Sequence, residues 1–144
     1  MNREEIKEIL PHREPMLLLD EAFLNEDGSA TAYYTVRGDE FFLQGHFPGR
    51  PVVPGVIQCE IMAQGACIMF ADKMKDKDIL PVYTGLDKVR FRGMVVPGDR
   101  IEVTTRILKE GHPLYVLHGE LKVDGKRCMS GDFSFAIVNK KEEE

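Results

Sequence analysis

The feature that most narrows the fold is the junction where the run FFLQGHFPGRPVVPG, residues 41–55, gives way to a helical pattern. Three prolines and three glycines in that run rule out a regular helix or a central strand, since proline lacks a backbone donor and glycine has no side chain to pack. The segment must be a shaped loop. From residue 56 to about 74, Ile57, Ile61, Gly65 and Ile68 recur every three or four positions, and Met62, Ala66 and Met69 widen the apolar stripe until it nearly encircles the helix. A helix apolar on almost every side has to be wrapped by the rest of the chain.

The remaining segments can supply that wrapping. Asn2 followed by Glu5 has the pattern of a capping box ahead of Ile6, Ile9 and Leu10, and Pro11 stops this short leading helix. Residues 16–24 and 30–36 are β-rich around the turn-forming Asn25-Glu26-Asp27-Gly28; in the second, Ala30, Ala32, Tyr34 and Val36 face one way. Further extended segments at residues 84–92, 100–109, 114–123 and 127–138 are broken by Pro97-Gly98-Asp99, residues 111–113 and Asp124-Gly125. One long buried helix and about six antiparallel strands define an α+β domain with its sheet curled around the helix. The 144 residues suit a single domain, 1–144, without repeat or linker, and residues 140–144 form a charged tail.

Composition excludes several classes. The formal charge of −5 gives no general attraction for nucleic-acid phosphates. No uninterrupted apolar stretch approaches the ~20 residues that cross a bilayer. The charged N-terminus MNREEIKEIL has no secretory apolar core, so the expected location is cytoplasmic. Cys59, Cys67 and Cys128 lack metal-ligand spacing and are expected to be packed thiols.

The loop–helix junction brings three catalytic ingredients together. His46 offers an imidazole that titrates near neutrality, suited to a general base. The helix start at Gly55 and Val56 offers unpaired N–H groups that can polarise a thioester carbonyl and stabilise an enolate-like oxyanion. Glu60 sits one turn into an apolar helix, where burial would keep a carboxyl protonated, and Gln64 lies on the same face to hold it. Base, acid and oxyanion donors together fit β-elimination of water from a 3-hydroxyacyl thioester. Each residue alone also has a plainer reading: a loop histidine is often structural, and a first-turn glutamate often only complements the helix dipole.

The string Gly45-His46-Phe47-Pro48-Gly49-Arg50-Pro51-Val52-Val53-Pro54-Gly55-Val56, followed by Glu60 and Ala63-Gln64, closely resembles the signature of the FabZ family of hydroxyacyl-carrier-protein dehydratases. Residues 10–20, LPHREPMLLLD, and residues 86–92, LDKVRFR, with Val96-Pro97-Gly98-Asp99, resemble its flanking motifs. The resemblance implies a hot-dog fold, a homodimer as the minimal active unit and a trimer of such dimers. It implies His46 as base, Glu60 as acid from the neighbouring protomer, the Gly55 amide as carbonyl donor and the Val52 carbonyl as the group orienting the imidazole. The sister family FabA, which also isomerises the product, has Asp where Glu60 stands, so Glu60 favours dehydration alone. No metal or organic cofactor is implied.

Other positions carry lesser expectations. Gln58 and Cys59 stand where the family is usually aliphatic, which leaves chain-length preference open. Tyr83 precedes the third motif, where relatives often place a tunnel gate, although strand packing explains an aromatic there equally well. Lys88, Arg90 and Arg92 alternate with Val89 and Phe91, which puts three cations on one strand face. That face is either simply solvated or a dock for acyl carrier protein and its phosphopantetheine phosphate. His12, within the first flanking motif, either touches the active-site region or, as the favoured reading, fixes a turn beside Pro11; His118 is read as facing outward and His112 as lying in a turn. Rival functions are a thioesterase or an enoyl-CoA hydratase on the same fold, and a non-catalytic acyl-carrier-binding protein.

Overall fold

The computed structural model describes residues 1–45, 49–76 and 78–139. His46, and the charged tail at 140–144, therefore lie outside the described residues. Helix α1 (Arg3–Ile9) begins with the expected capping box: Asn2 Oδ1 accepts from the Glu5 N–H (2.9 Å) and Glu5 Oε1 from the Asn2 N–H (3.1 Å). Strands β1 (Glu21–Leu24) and β2 (Ala30–Thr35) precede the long helix α2 (Gly55–Cys67). A 3₁₀ turn (Ile68–Phe70) and the short α3 (Ala71–Met74) continue it to the expected end. Strands β3 (Ile79–Phe91), β4 (Arg100–Gly111), β5 (Leu114–Val123) and β6 (Lys126–Asn139) complete the chain.

All six strands form one antiparallel sheet in the order β1-β2-β4-β5-β6-β3, with α2 packed chiefly on β4, β5 and β2. The alternation of residues 30–36 has its expected sense, for Ala30, Ala32, Tyr34 and Val36 are buried. Ile101 and Val103, Leu117 and Leu121, and Phe133, Phe135 and Ile137 line the same core, and the three cysteines are buried free thiols within it. None of the described helices is long and apolar enough to cross a membrane.

Two departures from the expected strands have visible causes. Residues 16–19 are not in the sheet, although Leu17, Leu18 and Leu19 are buried. Side chains and a local turn, rather than a neighbouring strand, satisfy their backbone, the Met16 and Leu17 N–H groups both donating to the Arg13 carbonyl (2.8 and 3.0 Å). Arg3 donates to the Leu17 carbonyl (2.8 Å) and the Leu19 carbonyl (3.0 Å), and Gln64 bonds the Met16 carbonyl and the Leu18 N–H. Strand β3 starts earlier than expected, at Ile79, and carries a bulge: the register passes from Asp87↔Asp132 to Arg90↔Ser130, leaving Lys88 and Val89 against Gly131.

The helix lies so deep that the sheet has to make room for it. A Cβ on Gly65 would stand 3.2 Å from Val103 Cγ1, and one on Gly119 only 2.4 Å from Met62 Sδ. Gly119→Val is therefore expected to lower stability by about 1–3 kcal/mol through overpacking. Chemical denaturation checks this, and Met62→Ala should be less damaging in the Gly119→Val background than in the wild type.

Candidate active site

The start of α2 is shaped by its sequence. Pro54 occupies the N-cap and offers no capping side chain, and its carbonyl accepts from the N–H groups of Ile57 (3.0 Å) and Gln58 (3.1 Å). Among the described residues, the Gly55 and Val56 N–H groups have no hydrogen-bond partner, which leaves the donors an oxyanion would use. The Phe91 ring closes over Gly55: a Cβ there would come within 2.9 Å of it. Glycine at this position lets the ring approach without having to shift. Upstream, half-buried Val52 precedes Val53, whose N–H donates to the Val95 carbonyl (2.8 Å) and so ties the loop to the segment before β4. Arg50, Pro51, Val52, Met94, Val96 and Pro97 line a mostly apolar cavity of about 570 Å³ beside this tie.

Glu60 is less enclosed than its helix suggests, since 28% of its side chain is exposed in the single chain. The apolar stripe is interrupted there because the residue faces the N-terminal arm and solvent, not the inner core. Gln64 holds the carboxyl as expected, its Nε2 donating to Glu60 Oε2 (2.9 Å). Gln64 itself is fully buried and also donates to the Met16 carbonyl (2.7 Å) while accepting from the Leu18 N–H (2.8 Å).

His12, expected chiefly to fix a turn and secondarily to touch the active-site region, places its Nε2 3.6 Å from Glu60 Oε2. Its Nδ1 is buried with no partner among the described residues. Burial pulls the imidazole pKa below its ordinary value, with Glu60 opposing that shift and Arg13 adding to it. Nothing local in the sequence signals a contact between residues 48 positions apart.

Tyr83 reaches across to the same helix. Its hydroxyl donates to the Cys59 carbonyl (2.7 Å), and its ring packs on Phe135 at 4.9 Å and Phe133 at 6.0 Å. Burial pushes its phenol well above the usual range. The cationic face differs from its expectation. Lys88 sits in the β-bulge with a left-handed φ of 54°, so the simple alternation breaks, and Asp87 shares the outward face with Arg90. Lys88, Arg90 and Arg92 are nonetheless all exposed. His118 faces outward and pairs with Asp132 (2.7 Å), and His112 lies in the β4–β5 turn.

A family profile described as a FabA-like domain matches residues 10–132. The chain is 42% identical over 136 residues to a 3-hydroxyacyl-[acyl-carrier-protein] dehydratase FabZ of Streptococcus pneumoniae, covering 94% of this chain and 97% of that one. To the protein of the same description from Clostridium beijerinckii it is 39% identical over 140 residues, covering 95% and 99%. Among solved structures, the dehydratase heterocomplex ApeI:P from Xenorhabdus doucetiae superposes with a TM-score of 0.82 at 23% identity, covering 96% of this chain and 93% of that one. A point mutant of the fluoroacetyl-CoA-specific thioesterase FlK gives 0.64 at 14% identity, covering 91% and 94%. At these identities the two structures establish the shared hot-dog fold and no more. The chain belongs to the FabA-like dehydratase family, in its FabZ branch.

Gln64 is the connection on which the site's shape rests. Gln64→Leu would leave the Leu18 N–H and the Met16 carbonyl unpaired and release the Glu60 carboxyl. The variant is expected to lose about 2–4 kcal/mol, measurable by denaturant unfolding.

Proposed function

We propose that this protein is a hydro-lyase of fatty-acid biosynthesis that dehydrates (3R)-3-hydroxyacyl chains on acyl carrier protein to the trans-2-enoyl product. The observation that carries the reading is the nearly full-length relation to FabZ dehydratases at about 40% identity. The geometry at the start of α2 fits the chemistry. The Gly55 N–H, and with it Val56, receives the thioester oxygen as charge builds there. His46 removes the C2 proton, and the Val52 carbonyl orients its ring. Glu60, held by Gln64, gives a proton to the 3-hydroxyl, so that the C3–O bond breaks and water leaves. Among the described residues, no group of three or more His, Cys, Asp or Glu is placed to hold a metal. The mechanism uses protein groups throughout.

The surface offers places for the proposed partners. Arg90 and Arg92, with Lys88 beside them in the bulge, form the proposed dock for acidic carrier protein and its phosphopantetheine phosphate. As a tunnel gate, Tyr83 would have to exchange its bond to the Cys59 carbonyl for an open rotamer. A homodimer is supported by edge strand β3, where Val82, Tyr83, Leu86 and Phe91 are exposed next to Val56, itself 77% exposed. A paired edge would remove that apolar surface from water and appose the two helix starts. Three such dimers form the proposed hexamer, and the proposal includes a cytoplasmic location.

The decisive test offers purified protein 3-hydroxyacyl carrier proteins of several chain lengths and follows product by mass. Enoyl product supports the reading; free thiol identifies a thioesterase; no turnover leaves a carrier-binding protein. His46→Ala is expected to lower turnover by about 10²-fold or more. With Arg90→Glu and Arg92→Glu combined, KM for the carrier-bound substrate should rise about 10-fold while a pantetheine thioester is spared.

The shared-site arrangement has its own test. His46→Ala and Glu60→Gln chains, inactive separately, are refolded together in equal amounts. If each site takes His46 and Glu60 from different chains, half the dimers are mixed and each has one intact site. About a quarter of wild-type activity should then return. No recovery, with mixed dimers confirmed by native mass spectrometry, refutes shared sites.

A further inference from the structure

The N-terminal arm carries a second group to the proposed acid. Gln64 Nε2 already donates to Glu60 Oε2 at 2.9 Å, and His12 Nε2 stands 3.6 Å from the same oxygen. That distance is longer than a formed hydrogen bond, so in the free chain the contact is electrostatic. Catalytic contacts of this kind tighten once substrate is bound. The other ring nitrogen, Nδ1, is buried without a partner among the described residues. A neutral imidazole carries one N–H, and a proton on Nε2 faces the Glu60 oxygen whereas one on Nδ1 would face no acceptor among the described residues. The charged and titratable groups around the pair are Glu60 itself, Arg13 on the arm, Cys59 and Cys67 on α2, and Tyr83 on β3.

We infer that His12 is a positioning residue for Glu60: a neutral imidazole whose Nε2–H, with Gln64, fixes the carboxyl through Oε2 and leaves Oε1 to carry the transferable proton. The inference rests on the dehydration reading. In the elimination, His46 accepts the C2 proton, the C2–H electrons form the C2=C3 bond, and the C3–O bond breaks toward oxygen. The Oε1 proton of Glu60 completes the departing water. His12 neither gains nor loses a proton. Its part is to meet the negative charge that grows on the Glu60 carboxylate as the proton leaves, so its contribution is larger in the transition state than in the ground state. An interaction of that kind acts on kcat and leaves KM alone.

Three variants test this on a 3-hydroxyacyl pantetheine thioester, with melting temperatures measured alongside. His12→Phe keeps bulk and removes the donor. Its kcat should fall about 10-fold with KM within about twofold of wild type. His12→Gln places an amide N–H near the position of Nε2 and should recover most of that loss, while the shorter His12→Asn should not. If His12→Phe does not fold, His12→Asn supplies the variant without the donor. A kcat unchanged within twofold, an equal loss in His12→Phe and His12→Gln, or a loss confined to KM or melting temperature overturns the inference. Wild-type protein that turns over no hydroxyacyl thioester overturns instead the dehydration reading beneath it.

Discussion

Gln64 does for the N-terminal arm what a neighbouring strand would do. Its carboxamide, fully buried on α2, donates to the Met16 carbonyl and accepts from the Leu18 N–H, two groups that point the same way along an extended chain. The second amide hydrogen goes to Glu60. A buried amide left half-paired would cost about 1–3 kcal/mol per lost partner, so the arm must run past the helix at this level and in this register. The same side chain thus anchors the arm and holds the carboxyl of the proposed acid, Glu60.

The arm's other edge is completed by Arg3. Its guanidinium takes the carbonyls of Leu17 and Leu19, the residues that alternate with those bound by Gln64, and its ion pairs with Glu14 and Asp20 hold it in place. Glu14 is itself held down to about 2 by its own backbone N–H, then Arg3 and Lys7. Two side chains from distant parts of the sequence, with the Arg13 carbonyl that accepts from the Met16 and Leu17 N–H groups, therefore replace a β-ladder. That is why residues 16–19 read as a strand and are not one: an apolar run reports burial, whereas strand identity depends on who supplies the hydrogen bonds.

Elements whose cause is local were legible in the same way. The Asn2–Glu5 cap, the inward set Ala30, Ala32, Tyr34 and Val36, and the enclosed α2 each follow from spacing within one segment. The Pro/Gly loop followed by Glu60 and Gln64 points to the proposed site because that motif is contiguous. What remained hidden depends on tertiary partners. The bulge at Lys88 is one instance, since Val89 packs on Gly131, which lies across the sheet on β6. His12 is another: Pro11 suggests a turn, and only the fold brings the ring to Glu60.

The depth of α2 links packing to chemistry. Gly65 and Gly119 let Val103 and Met62 approach closely enough for the helix to sink into the curl of the sheet, leaving one side of its first turns toward solvent. Val56 and Glu60 occupy that side, next to the apolar edge of β3. A carboxyl exposed to water exchanges its proton with solvent and gains little from fixed dipoles, while one enclosed by apolar groups delivers its proton to whatever is bound. In the single chain the enclosure of Glu60 stops at His12 and Gln64. The proposed second copy would bring its own apolar β3 edge and helix start to this side, and the acyl chain would fill what is left. Association would then dry the acid as well as bury surface, so that assembly and proton transfer depend on the same exposed residues.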